Sequence, residues 1–356
     1  MAGWLSRLFS SQPAPARAKA PLVVDPTPDV ENTASISTTP SIPSTTVPVL
    51  NRMSWMQIDN INANWMNCLF EGNKDSDLFA SQMEKEVLAA LEKIVHSKQP
   101  GSDMVRRMPG VIPQLLQSLR TENFSGAELA RQISNDVVLV AAVIRIANSS
   151  VYKSDEAITS IEHAVLVLGQ TGLRQLITSV AFKPIIDLKS GYFTKSLAPK
   201  IWQQSERCAV ANRILAEGDA IAPFEAFLAG LIQNVGMIVS LRFIDQLSDH
   251  RQNIGSFSFC NSLVAYARRI SVSIIRDWNF PDSVACAIEE QGNINRDSAI
   301  SPLGLLLETG DYLSKLKILS DLQRVQIDNP YLTKGLSERA LKCLHEINEL
   351  SAPAAE

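Results

Sequence analysis

From about residue 51 onward, apolar positions recur every three or four residues, and this period predicts one amphipathic helix after another. Trp55, Ile58, Ile61, Trp65 and Leu69 share one face, and Met83, Val87, Leu91 and Ile94 share another. Two stretches, Ser125-Gly-Ala-Glu128 and Thr159-Ser-Ile-Glu162, read as capping boxes, in which a hydroxyl and a carboxylate three residues apart satisfy each other's backbone N–H groups. Asn135 or Asp136 caps a helix with Val140, Val143, Ile144 and Ala147 inward. Gly169 ends the helix opened at Thr159, and Thr171 starts one carrying Leu173, Leu176, Ile177 and Val180 inward. Further helices are expected over 201–215, 226–243, 263–278, from Asp282, over 303–319 and over 337–350. Strand-like alternation is scarce and no repeat of fixed period occurs, so the predicted fold class is all-α.

Residues 11–48 break the pattern: they hold eight of the eighteen prolines amid Ser, Thr and Ala, with too little apolar surface to offset the entropy of ordering. The expected organisation is a disordered tether (1–50), a helical hairpin (51–100), a helical domain (101–300) and a helical extension (301–350). Trp4, Leu5, Leu8 and Phe9 would share one face of a short helix, which suits either a membrane-touching or partner-docking segment or a frayed end.

Composition narrows the function classes. At 356 residues and 46% hydrophobic the chain can bury a sizeable core, while a net charge of −4 gives no basic field to concentrate nucleic acid. Cys68, Cys208, Cys260, Cys286 and Cys343 are scattered and read as small buried hydrophobes in a reducing compartment. No apolar run approaches the roughly 20 residues of a transmembrane helix, and the first nine residues make a poor secretory signal. A cytoplasmic location without a membrane span is the expectation. His96, His163, His250 and His345 are widely separated, none is followed by Asp, and no phosphate loop, dinucleotide fingerprint or Ser-His-Asp set occurs. No cofactor is expected. One stretch is puzzling: in "FLAGLIQNVGMIVSL" (227–241) the adjacent amides Gln233 and Asn234 interrupt an almost wholly apolar run. Amides can hydrogen-bond, but they carry no charge and bind transition metals poorly.

"MPGVIPQLLQSL" (108–119), "ELARQISNDVVLVAAVIRIANSSVY" (128–152), "AITSIEHAVLVLGQTGLRQLI" (157–177) and "IRDWNFPDSVACAI" (275–288) together resemble the HDOD domain of bacterial signalling proteins. Ala147-Asn-Ser149, Ile158-Thr-Ser-Ile161 and Leu168-Gly169 stand in the expected order, and the resemblance covers about residues 101–300. It implies the helical architecture shared with HD phosphohydrolases, whose histidines and aspartates hold a metal that activates water. By that resemblance Gln233-Asn234 occupies the place of the His-Asp dyad and Gln204 that of a ligand histidine. Glu289-Glu-Gln291-Gly292 follows Ile288 where a histidine pair is frequent. The degenerate site thus comprises Gln204, Gln233, Asn234 and Gln291, with no metal ligand left at any position compared.

Other features have ordinary explanations. A helix-turn-helix around Ser134-Asn135 would present an acid and solid aliphatics, which suits core packing. Arg106-Arg107 and Arg268-Arg269 fit solvated helix ends as well as phosphate contacts. Asn148, Ser149, Ser160 and Gly169 sit at helix ends, where they either satisfy orphan backbone groups or line a partner groove. The leading expectation is a noncatalytic regulatory module that binds other signalling proteins or itself, in a context the resemblance links to cyclic-dinucleotide pathways. The alternatives are a divergent phosphohydrolase with a carboxylate-built site, or a nucleotide sensor using the vestigial pocket.

Overall fold

The protein is described from a computed structural model, at residues 53–70, 78–96, 157–186, 191–247, 254–292 and 300–349, with a few positions between 140 and 148. The Trp4–Phe9 segment, the proline-rich stretch, the Ser125 capping box, Arg106-Arg107 and Ser149 lie outside the described residues. Every element among those residues is a helix: α1 (Trp55–Phe70), α2 (Gln82–His96), α3 (Ile161–Ile186), α4 (Tyr192–Ala216), α5 (Pro223–Ile232), α6 (Val235–Leu247), α7 (Phe257–Asp277), α8 (Asp282–Glu290), α9 (Pro302–Asp321), α10 (Pro330–Thr333) and α11 (Glu338–Glu349). The fold is all-α.

Helix α4 is the hub. It packs on α5 and α9, and less extensively on α6 and α11, while α7 lies against α6 and α8. Small residues bring these axes close: a Cβ on Gly230 of α5 would stand 2.6 Å from the Ala209 backbone nitrogen of α4, and one on Gly236 of α6 2.5 Å from the Ser271 nitrogen of α7. Helices α1 and α2 pack separately, α1 on α9 and α2 on α7 and α6. Buried Gln57 of α1 donates to the Tyr312 hydroxyl at 3.3 Å and to the Leu332 carbonyl at 2.8 Å. Glu84 fixes α2 twice over. Its Oε2 accepts from Ser81 N at 2.7 Å, closing a capping box with Ser81 Oγ, and its Oε1 accepts from Gly255 N and Ser256 N ahead of α7. Burial works to raise the Glu84 pKa, but these backbone donors outweigh it and hold the carboxyl below its ordinary range.

Ser160, not Thr159, caps α3: its Oγ accepts from His163 N at 3.1 Å. Gly169 breaks the run as expected, with φ 66° inside a stretch that resumes as helix on both sides. Helix α4 begins at Tyr192 rather than Ile201, because Asp245 of α6 receives Phe193 N and Thr194 N at 2.7 and 2.9 Å, a cap supplied from 52 and 51 residues away. The single helix expected over 226–243 is two, α5 and α6, parted at Gln233-Asn234. At that break Ser271 Oγ donates to the Gln233 carbonyl at 2.7 Å and accepts from Gly236 N at 2.8 Å, satisfying the backbone groups the interruption frees. The stretch Pro223–Leu247 is, among the described residues, the one long and apolar enough to cross a membrane, contrary to the expectation of none. Of its 18-residue apolar window, 83% is buried within the protein, as the centre of a core is. All five cysteines are free, and Cys286 is exposed rather than buried.

Candidate functional site

The break between α5 and α6 decides where the two amides go. On an unbroken helix neighbouring side chains diverge; here both reach toward α4 and α9. Asn234 Nδ2 donates to Gln204 Oε1 at 2.5 Å and to Ser205 Oγ at 3.0 Å, both on α4. Gln233 Nε2 donates to Asp311 Oδ1 on α9 at 3.1 Å and to the Cys208 sulfur at 3.1 Å. Gln204, fully buried, donates to the same Asp311 oxygen at 2.9 Å and to Ser314 Oγ at 2.8 Å. The second Asp311 oxygen accepts from Lys315 Nζ at 2.5 Å, and that ammonium also donates to Asn62 Oδ1 of α1 at 2.8 Å.

Three of the four positions expected to form a degenerate site, Gln204, Gln233 and Asn234, are therefore brought together, and the fourth is not. Gln291 lies at the end of α8, where its Nε2 donates to the carbonyls of Ala287 at 2.8 Å and Gly304 at 3.0 Å and so joins α8 to the start of α9. The helix-end residues also act on backbone. Asn148 Oδ1 accepts from Ile158 N at 2.7 Å while its Nδ2 donates to Ile158 O at 2.7 Å, a two-point clamp ahead of α3.

Asp311 is the residue that sequence reasoning missed, and its charge shapes the surroundings. Burial, reinforced by the Asp311 charge, pushes the Cys208 thiol well above its ordinary range, so it is an inert acceptor here. On α7, half-buried Arg268 is lowered by burial while the negative Asp311 pulls it back up. A divalent ion needs several lone pairs converging on one point. In this site both carboxylate oxygens are taken up by N–H donors, and an ammonium already lies beside them. Among the described residues no three His, Cys, Asp or Glu side chains are grouped to hold a metal. The donor set does not fit a catalytic ion. Beside Asn234, a cavity of about 10 Å³ lined in part by Trp202, Ser205 and Ile232 has room for about one water.

A family model for the HDOD domain matches residues 105–294. An uncharacterized protein of Treponema pallidum (strain Nichols) is 21% identical over 219 residues, which make up 59% of this chain and 42% of that protein, so the chain spans less than half of that relative's length. Among solved structures, an HDOD domain protein with unknown function from Geobacter sulfurreducens superposes with a TM-score of 0.54 at 17% identity, over 75% of this chain and 98% of that one. A proposed metal-dependent phosphohydrolase from Shewanella amazonensis SB2B gives 0.53 at 19% identity, over 75% and 99%. A proposed signal transduction protein from Marinobacter aquaeolei VT8 gives 0.51 at 19%, over 77% and 66%. At such identities the likeness speaks for the fold alone. With the domain model matching more than half its length, on the all-helical frame that brings Gln204, Gln233 and Asn234 together, this chain belongs to the HDOD family.

Proposed function

We propose that this chain is a noncatalytic regulatory module of bacterial signal transduction, acting by protein–protein contact with another signalling protein or a second copy of itself. A link to cyclic-dinucleotide signalling is part of the same proposal. The observation that carries the reading is the state of Asp311. The one carboxylate drawn into the amide cluster, Asp311, is paired with Lys315 and capped by Gln204 and Gln233, so it is not free to hold an ion or take a proton from water. The phosphohydrolase alternative needs a donor set that these residues do not provide, and the cavity beside Asn234, with room for about one water, does not favour the nucleotide-sensor alternative.

The test uses the full chain with Mn²⁺ or Mg²⁺ against phosphomonoesters, phosphodiesters and cyclic dinucleotides. No turnover above buffer is expected. Metal-dependent turnover that survives repurification and disappears in Asp311→Asn would overturn the noncatalytic reading. Calorimetry with the same cyclic dinucleotides is expected to give no stoichiometric heat, and saturable binding would move the assignment to the sensor.

A further inference from the structure

Lys315 and Asp311 are four residues apart on one helix, a spacing at which exposed ion pairs are common and weak. Their setting is different. Their side chains are 14% and 19% exposed at 2.5 Å, whereas the similarly spaced pair Lys342–Glu346 is 79% and 44% exposed at 3.8 Å. Lys315 is also gripped from outside its own helix by Asn62 of α1. Three donors thus converge on one carboxylate, and the only positively charged one is anchored at both ends.

We propose that Lys315 is a resident cation: its ammonium, held between Asp311 and Asn62, balances the partly buried charge that an ion would otherwise meet and closes the degenerate site to added cations. The proposal rests on the noncatalytic reading above and gives a reason why the fold has no need of a metal. Asn62, Asp311 and Lys315 all lie outside residues 105–294, so the device is built from helices that flank the family match and fold back onto it. Withdrawing the ammonium changes the chemistry of the cluster. The side-chain amides of Gln204, Gln233 and Asn234 can each turn an oxygen inward, and with Asp311 they would form an all-oxygen set of the kind hard cations accept.

The experiment is thermal unfolding of the full chain with and without MnCl₂, paired with equilibrium dialysis of Mn²⁺. Lys315→Met keeps the aliphatic stem and removes the charge. It is expected to melt lower than the parent without metal and to recover by about 2 °C in MnCl₂ at about five times its dissociation constant. The parent, Lys315→Arg and the double variant Lys315→Met/Asp311→Asn are expected to show no response. Should Lys315→Met fail to fold, Asn62→Ala serves, since it leaves the ammonium but loosens its anchor and is expected to admit weak Mn²⁺ binding by dialysis. Folded variants lacking the charge or its anchor that bind no Mn²⁺ would overturn the resident-cation proposal alone. Stoichiometric Mn²⁺ on the parent, together with turnover, would overturn the noncatalytic reading as well.

Discussion

Replacing Asp311 with alanine tests the polar cluster most severely. The substitution strips two amide donors, Gln204 Nε2 and Gln233 Nε2, of their shared acceptor and leaves the Lys315 ammonium beside a neutral cavity. Hydrogen bonds to a charged group contribute about 1.5–3 kcal/mol each, and breaking a fully buried ion pair by removing one partner costs about 3–5 kcal/mol. Two features reduce the sum. Lys315 is 14% exposed and can swing toward solvent, and Gln233 keeps its contact with Cys208. The expected loss is therefore about 3–4 kcal/mol, or roughly 5–6 °C in Tm for a domain of this size. Urea unfolding followed by circular dichroism measures it, with Asp311→Ala, Lys315→Met and the double variant forming a cycle. The double variant should be less destabilised than the two singles added together, by about 1–2 kcal/mol, since no unpaired ammonium remains. A loss below about 1 kcal/mol for Asp311→Ala would show that the cluster is solvated and that its geometry carries little energy.

Glu84→Gln should destabilise by about 1–3 kcal/mol at neutral pH, since a carboxylate receiving backbone donors from Ser81, Gly255 and Ser256 is replaced by a neutral group. Because the folded-state pKa of Glu84 is lowered, its contribution is present above the unfolded carboxylate value of about 4.3 and is lost as pH falls through the folded value, so parent and variant should converge in strong acid. A stability difference that is constant from pH 7 to pH 3 would contradict this. Gly236→Ala drives a Cβ into the Ala267 carbonyl and the Ser271 backbone of α7, and should cost about 3 kcal/mol or more, visible as lost soluble yield and a lowered urea midpoint. Under native conditions a thiol reagent should modify Cys286 rapidly and Cys68, Cys208, Cys260 and Cys343 only after unfolding, with peptide mapping to distinguish them.

Much of the helical frame was legible because periodicity reports which face is buried, and Ile61, Val87, Leu91, Leu173, Leu176 and Ile177 are indeed core residues. What periodicity could not report were contacts made across the chain. The start of α4 depends on Asp245, and Pro199 within it misleadingly suggests a boundary near residue 200. The break at Gln233-Asn234 depends on Ser271, 38 residues away, and an apolar window contains no sign of it. Resemblance singled out Gln204, Gln233 and Asn234, whose side chains the fold brings together, yet Asp311 escaped notice because it lies 78 residues beyond Gln233 in a helix read as an extension. With a lysine four residues on, it also reads as a solvated pair. A signal was available: Leu307, Asp311 and Ser314 follow one another at helical spacing, so the acid continues a core-facing stripe.

On the function proposed above, amides and an ammonium have taken over a site where a hydrolytic relative would hold an ion. The most direct measurement is elemental analysis of the full-length protein purified without chelator and then dialysed against Mn²⁺. Substoichiometric Mn, Fe, Zn and Ni, below about a tenth of an ion per chain, is the predicted result for a site with one spent carboxylate. One ion per chain, lost when Asp311 becomes Asn, would contradict it.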